Sequence, residues 1–336
     1  MAERPVLEVS DLMVTFSTDS GPVPAVRGVS LEVRKGETLA LVGESGSGKS
    51  VTSLAVMRLT PAPPRARIGG RAVLTRDDGT THDLFALSEP DMRALRGDAM
   101  AMIFQEPMTS LNPVHRVGDQ IAESLRFHRD LDRRAALRRA TELLELVGIP
   151  EPARRLNAYP HHLSGGMRQR VMIAMALACD PQILIADEPT TALDVTVQAQ
   201  ILDLLHDLQR RTGMAIVFIT HNLGVVAEIA DRVMVMYAGR IVEEGGVVPV
   251  LTRPRMPYTQ GLLASVPRLD LSREGRDDLA FIPGTVPDPH GMPPGCPFEP
   301  RCAHAVPARC GAAVPPLEAA GADRRVRCCR WQELAA

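Results

Sequence analysis

The segment 38–51 constrains this chain more than any other. It reads TLALVGESGSGKSV: a short apolar run, three glycines within six positions, then a lysine, a serine and a helix-compatible stretch. A continuous apolar run suits a strand buried on both faces, and such strands belong to parallel sheets covered by helices. The glycines let the backbone bend so that successive amide N–H groups converge on one point. The positive end of the following helix faces the same point. Residues Gly43, Glu44, Ser45, Gly46, Ser47, Gly48, Lys49 and Ser50 therefore read as a bed for nucleotide phosphates. Lys49 neutralises phosphate charge, and Ser50 offers a hydroxyl to Mg²⁺. Basic residues are nearly all arginine, and the two lysines of the chain are Lys35 and Lys49. A compact ammonium suits phosphate at the second of these.

The same alternation continues downstream. Met100 to Phe104, Ile183 to Ala186, Ala215 to Thr220 and Val233 to Tyr237 read as strands, the last of them closing the sheet. Leu7 to Leu12 and Val29 to Val33 alternate as half-buried strands. Helices are expected over Val51 to Leu59, Arg133 to Val147 with Gly148 as cap, Ser164 to Ala178, Val195 to Arg211 and Leu223 to Ala230. Strands alternating with helices imply a mainly parallel, helix-covered sheet. The strand Ile183 to Ala186 ends in Asp187 and Glu188, at the carboxyl edge where ligands of open α/β sheets bind. Adjacent side chains point different ways. Asp187 can therefore hold Mg²⁺ while Glu188 orients and deprotonates an attacking water. Ser164-Gly165-Gly166 opens a helix and is an anion site by geometry.

Composition narrows the class. The 336 residues carry a net charge of −2 and 3% aromatics, which argues against a nucleic-acid partner. No segment reaches the ~18 consecutive apolar residues of a membrane span, and the N-terminus lacks the apolar core of a signal peptide. The expectation is a cytosolic chain that meets a membrane only through partners. Beyond Phe281 the composition shifts: ten prolines fall between Phe281 and Pro316, interleaved with glycines and cysteines. That stretch reads as a loop-rich appendage in need of a staple. Cys296, Cys302, Cys310 and Cys328 are separated by five, seven and seventeen residues, and Cys329 follows directly. This spacing alone leaves zinc, an iron–sulfur cluster and unpaired thiols open. Cys179 reads as inert core.

The glycine loop, the run Leu163-Ser164-Gly165-Gly166-Met167-Arg168-Gln169 and the acidic pair, in that order, resemble the ATP-binding subunit of an ABC transporter. The resemblance implies a P-loop ABC ATPase core with a helical subdomain, and ATP with Mg²⁺ as ligands. It implies that Ser164, Gly165, Gly166 and Gln169 act in trans, covering the γ-phosphate bound to the opposite subunit. It further implies that Gln105 binds nucleotide and senses Mg²⁺, that the catalytic His221 contacts the γ-phosphate, and that Asp194 crosses the dimer. Phe16 matches the early aromatic that stacks on adenine.

The tail, with Cys296-Pro297-Phe298, Pro300-Arg301-Cys302, Cys310 and Val326-Arg327-Cys328, resembles that of oligopeptide/dipeptide importer ATPases. The run Glu106 to Pro113 does so too. This likeness implies a [4Fe-4S] cluster on Cys296, Cys302, Cys310 and Cys328, with Cys328 and Cys329 both eligible for the last place. The implied organisation is an ABC nucleotide-binding domain over 1–245, with its helical subdomain at about 106–165, and a small loop-rich, cysteine-containing C-terminal extension over 246–336. The implied partners are a second ATPase subunit (by family habit a paralogue), two transmembrane permease subunits and, indirectly, an extracytoplasmic binding protein. The chain would then lie peripherally on the cytoplasmic face of the inner membrane and power peptide import. The alternatives are the same role for nickel or glutathione, and a non-transport ABC ATPase acting on ribosomes or DNA. The latter usually has two fused cassettes or a long coiled coil, whereas this chain has one phosphate loop and no sustained heptads.

Overall fold

The computed structural model describes residues 4–105, 110–191, 193–266 and 281–334. Glu106 to Thr109, within the run Glu106 to Pro113, and Ala192 lie outside the described residues. In chain order the elements are β1 (Leu7–Thr18), β2 (Gly21–Val33), β3 (Thr38–Val42), α1 (Lys49–Val56), β4 (Ala66–Thr75), β5 (Thr81–Asp83), α2 (Glu89–Leu95) and β6 (Met100–Ile103). Next come α3 (Val117–Arg129), α4 (Arg133–Leu146), α5 (Gly165–Ala176), β7 (Ile183–Asp187), α6 (Val195–Thr212), β8 (Ala215–Thr220) and α7 (Leu223–Ile229). The chain continues through β9 (Arg232–Tyr237), β10 (Arg240–Gly246), α8 (Val247–Thr252), α9 (Pro257–Ala264), β11 (Glu318–Ala319) and β12 (Arg325–Val326). It forms two compact units. The first comprises the residues up to Glu8, Glu32–Thr38 and Ala72–Ile219; the second comprises Val9–Leu31, Leu39–Arg71 and Thr220 onward.

In the first unit β6, β7 and β8 run parallel, with Met100 opposite Ile183 and Ile183 opposite Ala215. Strands β7 and β8 are buried throughout, as their unbroken apolar runs require. Helices α3, α4 and α5 pack on one another. Their buried faces recur at helical spacing: Val117, Ile121 and Leu125 on α3, and Ala136, Ala140, Leu143 and Leu144 on α4. Asp132 caps α4 by accepting the Ala135 N–H at 2.7 Å, which contributes about 1 kcal/mol. Gly148, at φ +72°, takes the left-handed turn just past its end. Cys179 lies past the end of α5, fully buried, and burial pushes its thiol pKa up.

In the second unit β3 pairs in parallel with β9, Leu39 opposite Arg232. The sheet expected to close at Tyr237 instead continues antiparallel through β10, β12 and β11. The polarity of β10 conceals this. Glu243 and Glu244 read as solvated, yet they are 0% and 6% exposed. Arg324 and Arg325 neutralise them from the tail, and Glu243 also accepts the N–H groups of Arg255 and Met256. An unpaired buried carboxylate would cost several kcal/mol, so β10 can occupy a core position only once the tail has supplied its arginines. The appendage is therefore held by strand addition and apolar packing. Val326 is fully buried, and Phe298 packs against Tyr237 and Tyr258.

A second sheet of order β2-β1-β4-β5 was not expected from the alternation of strands and helices, and its β4–β5 pair is antiparallel. Helix α1 starts two residues earlier than expected and ends at Val56, where Arg58 turns the chain at φ +51°. No helix among the described residues is long and apolar enough to cross a membrane.

Candidate nucleotide site

The second unit carries the phosphate loop. Strand β3 delivers Val42, and the backbone then takes positive φ at Gly43 (+152°), Gly46 (+77°) and Gly48 (+106°). Two of these positions also lack room for a side chain. A Cβ on Gly43 would sit 2.2 Å from the Met236 carbonyl oxygen, and one on Gly48 would sit 2.7 Å from that of Ala25. Gly48 is the N-cap of α1. Ser45 and Gly46 are exposed at the crest of the loop, and Ser50 is half-buried. Lys49 is 5% exposed, and its Nζ donates to the carbonyls of Gly43 (2.8 Å) and Glu44 (3.0 Å), which places the ammonium inside the loop. The buried Ser47 Oγ finds no hydrogen-bond partner among the described residues. An orphaned hydroxyl within a cradle of glycines fits a phosphate-bearing ligand. His221 is exposed, directly after β8 and before Asn222, which caps α7. Phe16 is half-buried on β1.

The first unit carries the acidic pair. Asp187 ends β7 and is 4% exposed. Glu188 takes φ +47°, a left-handed conformation that costs a non-glycine residue about 1–2 kcal/mol. The turn is over-determined. The Glu188 N–H donates to Ile219 O at 2.9 Å, and the Thr191 N–H donates to Glu188 O at 3.1 Å. The Glu188 carboxylate accepts twice at Oε2, from Gln105 Nε2 at 3.1 Å and from Thr191 Oγ1 at 2.8 Å. The structure thus joins two residues singled out in the sequence and adds Thr191. The signal for Thr191 was available, because a hydroxyl three residues past a strand-end acid commonly bonds back across a turn.

Ser164 caps α5, its Oγ accepting the Met167 N–H at 3.3 Å, and both Ser164 and Gly165 are exposed. Gly166 is needed for packing: a Cβ there would lie 2.8 Å from Val197 of α6. Gln169 points inward and is 2% exposed, with its Nε2 unpartnered among the described residues. Asp194 caps α6, accepting the Val197 N–H at 2.9 Å.

The tail cysteines converge. Cys296, Cys302, Cys310, Cys328 and Cys329 all line one small cavity, and Sγ of Cys310 lies 3.7 Å from that of Cys329. Burial pushes the Cys296 thiol up to about 11, and burial raises Cys302 and Cys328 as well. Among the described residues, no three His, Cys, Asp or Glu side chains form a group that could hold a metal ion.

A strand–glycine loop–helix, a strand-end Asp-Glu pair and a glycine-rich helix cap define a P-loop nucleoside triphosphatase of the cassette type. Residues 26–191 match the family described as ABC transporter, and residues 242–310 match the oligopeptide/dipeptide transporter C-terminal region. The chain belongs to the ABC transporter ATP-binding family, in the branch that carries this C-terminal region. It is 56% identical over 301 residues to the oligopeptide transport ATP-binding protein OppD of Bacillus subtilis, covering 90% of this chain and 82% of that one. It is 54% identical to the dipeptide transport ATP-binding protein DppD of the same organism, covering 88% and 86%. Among solved structures it is similar to the dimeric post-hydrolysis cassette MJ0796 bound to ADP and Pi. The TM-score is 0.63 at 27% identity, over 72% of this chain and 98% of that one.

Proposed function

We propose that this chain is the ATP-hydrolysing subunit of a peptide importer. The observation that carries the reading is the held carboxylate of Glu188, at the end of a buried strand in a chain 56% identical to an oligopeptide transport ATP-binding protein. Lys49 turns from the loop carbonyls to the incoming phosphates. Ser50, Asp187 and Gln105 would hold Mg²⁺, which when bound offsets charge on the β- and γ-phosphate oxygens. Glu188 orients a water for in-line attack on the γ-phosphorus and accepts its proton as the bond to the β-phosphate oxygen breaks. His221 contacts the γ-phosphate, and Phe16 supports the adenine.

Ser164, Gly165, Gly166 and Gln169 serve the nucleotide of a second ATPase subunit, and Asp194 lies at that dimer contact. The exposure of Ser164 and Gly165 supports this role, whereas Gln169 is 2% exposed and would need to turn outward to share in it. Two permease subunits in the membrane are the partners that closure drives, so the chain sits peripherally on the cytoplasmic face. Exposed Phe104, Val114 and Phe127 in the first unit are side chains that such a partner would cover. Residues 1–245 form the cassette, with a helical subdomain at about 106–165, and residues 246–336 form the importer-type extension.

The test is reconstitution with permeases and binding protein in liposomes loaded with ATP. Labelled di- and oligopeptides should accumulate. Accumulation of nickel or glutathione instead would reassign the cargo, and no ATP-dependent uptake of any of them would overturn the importer reading.

The extension is assigned a [4Fe-4S] cluster on Cys296, Cys302, Cys310 and either Cys328 or Cys329. The donor set fits in kind, since five thiols line one cavity, but among the described residues no three of them are placed to hold an ion, so the thiols would have to close on the cluster. Such a cluster, when bound, would staple the loop-rich tail and draw protons from thiols that burial keeps protonated. Protein purified without oxygen should hold about four irons with matching sulfide per chain. Loss of iron in Cys328→Ser but not in Cys329→Ser would settle the fourth ligand. Zinc alone, or no metal, would remove the cluster.

A further inference from the structure

Arg301 precedes Cys302 in the tail, 257 residues from Glu44 of the phosphate loop, yet the two side chains meet within the second unit. The Arg301 guanidinium grips the Glu44 carboxylate in a two-point contact, NH1 to Oε2 at 2.7 Å and NH2 to Oε1 at 2.9 Å. Its Nε donates to Pro283 O at 2.9 Å, and the whole side chain is 4% exposed. The fork is therefore anchored in the tail and presented to the loop. The backbone of Glu44 is held as well, its N–H donating to the Tyr258 hydroxyl at 2.8 Å. Tyr258 is fully buried and packs against Tyr237 and Phe298, with ring centroids 4.6 and 5.3 Å away. Phe298 itself follows Cys296 by two residues.

Two physical consequences follow for a loop that must receive a triphosphate. A carboxylate beside bound phosphates repels them unless a cation compensates it, and Arg301 is that cation. A residue fixed at both its side chain and its N–H also fixes where the amides of Ser45 and Gly46 point, and aimed amides are what the loop contributes to phosphate binding. Neither residue lies in a motif of the cassette, and both come from the C-terminal part of the chain.

We propose that Arg301 and Tyr258 are positioning residues of the ATP site, through which the cysteine-bearing tail sets the affinity of the phosphate loop for ATP. The proposal rests on the reading of this loop as the ATP site. The test is titration of the purified full-length chain with Mg²⁺ and a fluorescent ATP analogue. Arg301→Ala should weaken binding about tenfold or more, because it leaves an uncompensated carboxylate in the loop. Arg301→Lys should restore part of the loss. Adding Glu44→Gln to Arg301→Ala should restore most of it, since the repelling charge is gone. A purely structural role would lower the melting temperature in both and show no such rescue. Binding by Arg301→Ala within twofold of wild type, or a double variant no better than Arg301→Ala, would overturn the proposal. Should Arg301→Ala fail to fold, Tyr258→Phe deletes one hydroxyl and should weaken binding severalfold; unchanged binding there overturns it equally. Wild-type protein that binds no ATP, or Lys49→Ala that binds it normally, would instead sink the ATP-site reading itself.

Discussion

Glu188→Gln should lower the ATPase rate of the assembled complex by about 10²–10⁴-fold while leaving ATP affinity within a few-fold of wild type. The substitution separates position from chemistry. The hydrogen bonds that the Glu188 side chain accepts from Gln105 and from Thr191 end on Oε2. The amide oxygen of glutamine can take the place of that atom and accept both, so these two contacts are kept while the proton acceptor is lost. Measuring kcat and KM for ATP on the reconstituted complex decides the matter. A variant with near-normal kcat would remove Glu188 as general base. The backbone gives a second arm. Glu188 stands at φ +47°, which glycine adopts without strain. Glu188→Gly should therefore lose the same activity with little or no fall in melting temperature.

Gly43→Ala should abolish measurable ATP binding, by 100-fold or more on the scale of a clash that cannot relax. Its Cβ would stand 2.2 Å from the Met236 carbonyl oxygen and 3.0 Å from Ser47 Oγ. The obstacle is backbone of a central strand, β9, so the loop rather than the sheet must move. Movement of Gly43 displaces the carbonyl that Lys49 holds at 2.8 Å, and with it the ammonium. Gly36→Ala is the matched control. Gly36 also has positive φ, +69°, but a Cβ there meets nothing within 4 Å. That change should cost only about 1–2 kcal/mol in stability, for the left-handed conformation, and leave ATP binding intact. Equal binding by Gly43→Ala and wild type would mean that the loop does not use its observed shape.

Much of this architecture was legible in the chain because its signals are local. The apolar run Thr38–Val42, the helix Arg133–Leu146 with Gly148 past its end, and the strand Ala215–Thr220 follow from periodicity and capping chemistry alone. The four-stranded sheet was missed because β4 reads Ala66-Arg67-Ile68-Gly69-Gly70-Arg71, where glycines and arginines weaken the alternation. Gly70 is required there, since a Cβ would meet the Asp11 carbonyl oxygen at 2.5 Å. Strand β10 was missed because its buried glutamates look like surface until Arg324 and Arg325 arrive from about 80 residues away.

The chemistry open to this chain is written in short stretches of it. A glycine loop with one lysine, a strand-end Asp-Glu pair and a serine-capped helix are short-range patterns, and their geometry is set within a turn or two of backbone. What supports them comes from the folded packing. It placed Gln105 and Thr191 on one oxygen of Glu188, gathered five cysteines round one cavity, and set Arg301 on Glu44. Such pairings depend on long-range packing and on mutual neutralisation of buried charge. No spacing along the chain encodes them, because the free energy that selects them exists only once both partners have left water.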